Sequence, residues 1–202
     1  PAAGPLPTFM VEMKGGFKLE KTHLNKGDVM FLYTDGIEEA TRKFRDSEFN
    51  VIKCQHEGLK EGDNHENHKV GQTTEQMEPE RVNANIEAVL NKRVYVLKKY
   101  HSPDPNEKLE FDFSKCDGSI KDAILALASV EKVFRFYKEN DVTSSDVVRV
   151  DKEIDKFLTR CFNRYDYYCA SQQEISDESS YLYYTNLRED EQLDDLTLLA
   201  IK

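Results

Sequence analysis

No apolar run in this sequence approaches a membrane span. Stretches such as Val29-Met30-Phe31-Leu32-Tyr33 fall far short of the about 20 residues a helix needs to cross a bilayer. No signal-peptide pattern is visible, and no internal repeat. No basic patch offsets a formal charge of −10, so phosphate backbones and anionic lipid are poor partners and neither nucleic acid nor direct membrane contact is expected. Cysteine is sparse: Cys54, Cys116, Cys161 and Cys169 are scattered without CxxC spacing. That pattern favours buried free thiols in a reduced, cytoplasmic setting over a disulfide framework. An initiator Met is also missing, and the opening Pro1-Ala2-Ala3-Gly4-Pro5 leads us to expect residues upstream.

What is present suffices for a core. Hydrophobic residues make up 39% and charged residues 33% of the 202 positions, wet for a globular chain but above the composition of a disordered one. The length fits one domain, or one incomplete domain enlarged by an insertion.

Residues 6–13, Gly15-Gly16 and residues 17–20 read as strand, turn and strand, because a Gly-Gly pair accepts the positive φ of a tight hairpin. Asn25-Lys26-Gly27-Asp28 is a second turn, feeding Val29 to Tyr33, whose continuous apolarity predicts a strand buried on both faces. Residues 55–80 are polar enough to predict a mobile surface loop. After Pro79, Val82, Ile86, Val89, Leu90 and Leu97 form a stripe at helical spacing. Leu109, Phe111 and Phe113 alternate with Glu110 and Asp112, a half-buried strand.

Ser119 with Asp122 resembles a capping box and opens a helix with Ile120, Ala123, Ile124, Leu127, Val130 and Phe134 on its apolar face. Another helix follows from about Asp151, carrying Ile154, Phe157, Leu158, Cys161 and Phe162. Tyr181 to Tyr184 reads as a strand. The run Arg188-Glu189-Asp190-Glu191 reads as a solvated acidic loop, and Leu193 to Ile201 as a terminal buried strand that begins with two aspartates.

Two carboxylates thus sit at the ends of apolar strands. Phe31-Leu32-Tyr33-Thr34 runs out into Asp35, where Gly36 lets the backbone turn and approach a ligand closely; Asp194-Asp195 precedes the last strand. Singly, each has a plain reading as a turn dipeptide or a polar edge. Unpaired buried carboxylates are costly, so these groups should be exposed, hydrogen-bonded or metal-bound. Cys54, His56, His65 and His68 form no recognised zinc spacing, and the acidic run lacks the glycine and alternating ligands of an EF-hand.

The wording around both sites is more specific. Leu24-Asn25-Lys26-Gly27-Asp28-Val29-Met30-Phe31-Leu32-Tyr33-Thr34-Asp35-Gly36-Ile37-Glu38-Glu39-Ala40, followed much later by Asp194-Asp195-Leu196-Thr197-Leu198-Leu199, resembles the SpoIIE-like branch of the PPM (type-2C) serine/threonine phosphatases. The resemblance covers about residues 2–45 and 176–202. It implies an α+β fold, a β-sandwich with flanking helices, and two Mn²⁺ or Mg²⁺ ions that activate a water against phosphoserine or phosphothreonine. Asp35 and Asp194 match metal ligands; Thr34, Gly36, Asp195 and Thr197 match supporting positions.

Three departures accompany it. The family's N-terminal half, with its Gly-Asp metal motif, has no counterpart before Pro1. Ala2 to Pro7 lacks the Asn and His of the family's corresponding segment. Asp35 and Asp194 stand about 160 positions apart, roughly twice the family's usual separation, which implies an insertion. The expected organisation is residues 1–45 as the first part of a phosphatase-like core, 46–170 as an inserted, mainly helical subdomain with the loop near 55–80, and 171–202 as closing strands.

The resemblance further implies a phosphoprotein substrate, such as an anti-sigma-factor antagonist. Two aspartates offer too few oxygens to hold two ions, so these residues alone are expected to be inactive. A half-sandwich would expose apolar sheet surface, so self-association is expected. The competing reading is a non-catalytic, phosphatase-like interaction module. A membrane tether in upstream segments of the parent is left open.

Overall fold

The computed structural model describes residues 21–55, 70–104, 106–138, 147–169, 172–173, 180–192 and 194–201. The expected hairpin over residues 6–20 and residues 56–69 of the expected loop lie outside them. The described chain is α+β, with small antiparallel sheets packed on helices. No described helix is long and apolar enough to cross a membrane.

The chain begins with the expected turn: Gly27 takes φ 101°, and Asp28 N donates to Asn25 O at 3.0 Å. Strand β1 (Met30–Tyr33) follows and pairs with the last strand, β11 (Leu198–Ile201), in the register Leu32↔Leu199 and Tyr33↔Leu198. Phe31, Tyr33 and Leu198 pack against the core. The opposite face is open, with Leu32 at 48%, Leu199 at 51% and Ile201 at 43% exposure. Burial on both faces, expected for both strands, is therefore corrected: in a two-stranded sheet only the face against the helices is covered.

The expected loop over 55–80 is also shorter than the composition suggested. Strand β2 (Thr41–Lys43) pairs with β3 (Thr74–Gln76), and helix α1 (Glu78–Leu90) starts immediately after. Arg42 of β2 and Arg81 of α1 share the buried carboxylate of Glu75 in β3. Three polar-looking residues thus become interior because they neutralise one another.

Helix α1 stops at Leu90 rather than including Leu97. Lys92 takes φ 53°, its N–H reaches Val89 O at 3.2 Å, and Arg93 N reaches Ala88 O at 2.9 Å. This left-handed ending satisfies the last carbonyls and turns the chain into β4 (Val94–Leu97), which pairs with β5 (Leu109–Asp112). As the alternation predicted, Leu109 and Phe111 are buried. Phe113 is also buried, although it opens a 3₁₀ turn.

Helix α2 (Ile120–Arg135) is the centre of the molecule, packed against α1, β2, β11 and α3 (Lys152–Cys161). Ser119 caps α2 by accepting from Asp122 N at 3.1 Å. The box is not reciprocal, because the Asp122 carboxylate instead accepts from Asp117 N at 2.8 Å and from Arg160 at 2.6 Å. Ala123, Leu127, Val130 and Phe134 are fully buried; each large side chain among them contributes about 1.5–3 kcal/mol by leaving water. Asp151 caps α3 through Glu153 N, and α3 turns Phe157, Leu158 and Cys161 inward. The short helix α4 (Tyr165–Tyr168) follows.

The remaining strands join distant parts of the sequence. Strand β9 (Tyr181–Tyr184) lies between β7 (Val148–Asp151) and β8 (Gln172–Gln173). Strand β10 (Arg188–Glu189) pairs with β6 (Phe136–Tyr137), which continues from α2. Strand pairs therefore cross both expected boundaries, near 45 and near 170. One apolar cluster includes Ile37, Phe134 and Tyr184 alike.

The acidic run at 188–191 is not a solvated loop. Arg188 and Asp190 are buried, and Glu189 pairs with Lys132 at 2.7 Å. The basic residues that compensate them come from β2 and α2, so local composition could not reveal the burial.

Candidate metal centre

Pairing β1 with β11 carries the two sequence-predicted segments into contact. Thr34 N donates to Thr197 O at 3.1 Å, extending the ladder one step beyond the strands. The Thr34 hydroxyl donates to Asp195 O at 2.7 Å and accepts from Thr197 N at 3.0 Å. One side chain thus replaces the ladder bonds where the two strands diverge. Serine at position 34 would keep the oxygen; valine would leave both Asp195 O and Thr197 N short of a partner.

Asp35 opens a 3₁₀ turn, Asp35–Ile37, and Asp35 O accepts from Glu39 N at 2.8 Å. Gly36 is buried within this turn. A Cβ built there would lie 2.6 Å from Asp195 O and 3.3 Å from Asp194 O. Only a hydrogen fits, which explains glycine at this position by close approach of two backbones rather than by φ.

Gln192 closes the junction from the other side: its Nε2 donates to Gly36 O and to Asp194 O, both at 2.9 Å. Its Oε1 is buried and has no hydrogen-bond partner among the described residues. The Asp194 carboxylate accepts from Asp195 N at 2.8 Å. Nearby, the Tyr33 hydroxyl donates to Glu38 at 2.6 Å; burial and the adjacent carboxylate push that phenol up to about 12.

The structure therefore brings together Thr34, Gly36, Asp195 and Thr197 and sets Asp35 and Asp194 beside their junction, with both aspartates exposed. The sequence reading missed Gln192 and Glu38. Nothing local marks either one: Gln192 acts across 156 positions of chain, and Glu38 stands next to a second glutamate that is not used this way.

These donors suit a hard divalent ion in kind, since carboxylate oxygen is what Mn²⁺ and Mg²⁺ prefer. The buried, unpartnered Gln192 Oε1 agrees with an oxygen-lined junction. In number they fall short of two ions, because no group of three or more His, Cys, Asp or Glu residues able to hold a metal occurs among the described residues. Of the discounted zinc set, Cys54 is buried, and His56, His65 and His68 lie outside the described residues.

Comparison with protein-family models, curated proteins and solved structures gives no match to this chain.

Proposed function

We propose that this chain is the C-terminal part of a metal-dependent serine/threonine phosphoprotein phosphatase of the SpoIIE-like PPM type. On this reading Asp35 and Asp194 are two of its metal-holding carboxylates. The observation that carries the proposal is the contact between Thr34-Asp35-Gly36 and Asp194-Asp195-Thr197, segments 161 positions apart at Thr34 and Asp195. Two motifs that resemble one family's site in sequence are neighbours in space, which an accidental resemblance would not require.

A bound Mn²⁺ or Mg²⁺ pair would lower the pKa of a bridging water and offset charge on the phosphoryl oxygens. The chain's own residues do the holding. Thr34 fixes the spacing of the two segments, Gly36 lets them touch, Gln192 ties their carbonyls together, and the exposed Asp35 and Asp194 offer oxygens from adjacent backbones. The remaining ligands belong to the family's N-terminal half, so residues 1–202 alone would turn over little phosphoester.

The substrate class, a phosphorylated signalling protein such as an anti-sigma-factor antagonist, rests on the resemblance alone. A cytoplasmic setting is supported by four free, buried cysteines. The interaction-module reading draws support from the open apolar face of β1 and β11.

The test is Mn²⁺-dependent hydrolysis of a phosphoserine peptide by this chain and by an upstream-extended protein, each with Asp35→Asn. Activity in the extended form that is lost on substitution is the expected result. Inactivity of both, with unchanged Mn²⁺ binding in the variant, would overturn the proposal in favour of the interaction module.

A further inference from the structure

Away from this junction, a cleft of ≈ 510 Å³, its open mouth included, lies between β2, β6 and α4. Its wall carries Arg42, Arg45, Lys99, Lys138 and Arg164 against the carboxylates of Asp104 and Glu107. Such a concentration of cations is unexpected on a chain of net charge −10.

The arginines are committed. Arg42 pairs with Glu75, Arg45 pairs with Asp190 at 2.7 Å, and Arg164 faces Glu107 at 3.5 Å. The lysines differ. Lys99 Nζ donates to the Phe136 carbonyl at 2.8 Å and stands 5.6 Å from the Tyr168 ring centre. Lys138 Nζ lies 4.1 Å from the ring centre of Tyr167, and Arg164 approaches the same ring to 4.4 Å. The two tyrosine rings meet edge to face at 5.1 Å. Ring faces, rather than carboxylates, hold these ammonium groups.

We infer that this cleft binds a small phosphate monoester with a planar body, the phosphate between Lys99 and Lys138 and the body against Tyr167. Neither ammonium makes an ion pair with a carboxylate among the described residues, so each keeps donors for an incoming oxyanion. Tyr167 is 41% exposed, which leaves part of the ring open for stacking. The size suits a small ligand and excludes a folded partner. Burial, together with Arg42, already pushes the Lys99 amine down to about 7. Burial also lowers Lys138. A bound dianion would relieve both.

The site requires neither metal nor Asp35, so it stands independently of the phosphatase reading. The test is calorimetric titration of the full chain with 5′-AMP and with inorganic phosphate in EDTA. Saturable AMP binding is expected, with Lys99→Met and Lys138→Met each weakening it roughly tenfold, the loss of one charge-assisted hydrogen bond. Lys99→Arg should restore most of the loss, and Tyr167→Leu should weaken AMP but not phosphate. Lys121→Met, which removes a lysine paired with Glu153 outside the cleft, and Asp35→Asn should change nothing.

No saturable binding by the wild-type chain would overturn the inference. So would equal weakening by Lys121→Met, which would show only diffuse charge attraction. Equal affinity for phosphate and AMP would remove the aromatic shelf from it. Thermal melts of each variant separate loss of binding from loss of fold.

Discussion

The guanidinium of Arg45 grips the carboxylate of Asp190 at two points, 2.7 and 2.9 Å, and both side chains are buried. Asp190 also accepts from Lys43 N at 2.9 Å, and its carbonyl accepts from Arg135 at 2.7 Å. One aspartate therefore fastens the end of β2 and the end of α2 to the chain that leads into Gln192 and Asp194.

Removing only one partner leaves the other charge buried and uncompensated. Asp190→Asn should destabilise the fold by about 3–5 kcal/mol, read as a lowered urea midpoint. Asp46→Asn, at a more exposed turn carboxylate that accepts only from local donors, should cost far less. Equal effects would show that the Asp190 pair is not a structural hub.

Gly36→Ala places a methyl group 2.6 Å from Asp195 O. Backbone cannot move aside as a flexible side chain does, so the junction must open, at a cost of about 1–3 kcal/mol. The expected signature is a lower melting temperature together with weaker Mn²⁺ binding in the upstream-extended protein. An unchanged melt would mean that the contact between the segments is looser than described.

The exposed face of Leu32, Leu199 and Ile201 forms an apolar strip on a two-stranded sheet. A second copy of this chain should cover it, giving concentration-dependent association in sedimentation velocity. Leu199→Lys should abolish that association without lowering the melting temperature, because its side chain faces away from the core. A wild-type chain that stays monomeric at high concentration would refute the prediction.

Lys99 gives stability a pH dependence of definite sign. Its amine is pushed down to about 7 by burial and by Arg42, from an ordinary 10.5. Between those values the unfolded chain holds a proton that the folded chain does not. Stability therefore rises with pH through this window, and the full penalty is present below it. Cys116 and Cys169, pushed up by burial from 9.0 to about 12, act oppositely above pH 9. Urea midpoints should thus increase between about pH 7 and 8.5, and Lys99→Met should flatten the increase. Parallel profiles for the two proteins would refute this assignment.

Buried thiols with raised pKa values should also react slowly. Cys116 and Cys161 lie 3.7 Å apart, sulfur to sulfur, yet both are buried. Ellman's reagent should label the native chain slowly and the urea-unfolded chain at once. Rapid labelling of the native protein would show that the helix layer around Cys161 opens readily.

Periodicity determined the helices on its own. The Ser119 cap and the stripe through Leu127 and Phe134 are local facts, because a helix buries whichever face repeats near every fourth residue. The alternation at Leu109 and Phe111 fixed β5 in the same way. Asp35, Gly36, Asp194 and Thr197 were legible as candidates from local wording, but their adjacency was not, since strand pairing across most of the chain carries no local signal. Only the tertiary structure decided that α1 ends at a left-handed Lys92, that Leu32 and Leu199 face outward, and that Glu75, Arg81 and Asp190 are interior. Burial of a charged residue depends on which opposite charge the fold brings to it. That partner is fixed by packing, not by sequence neighbours.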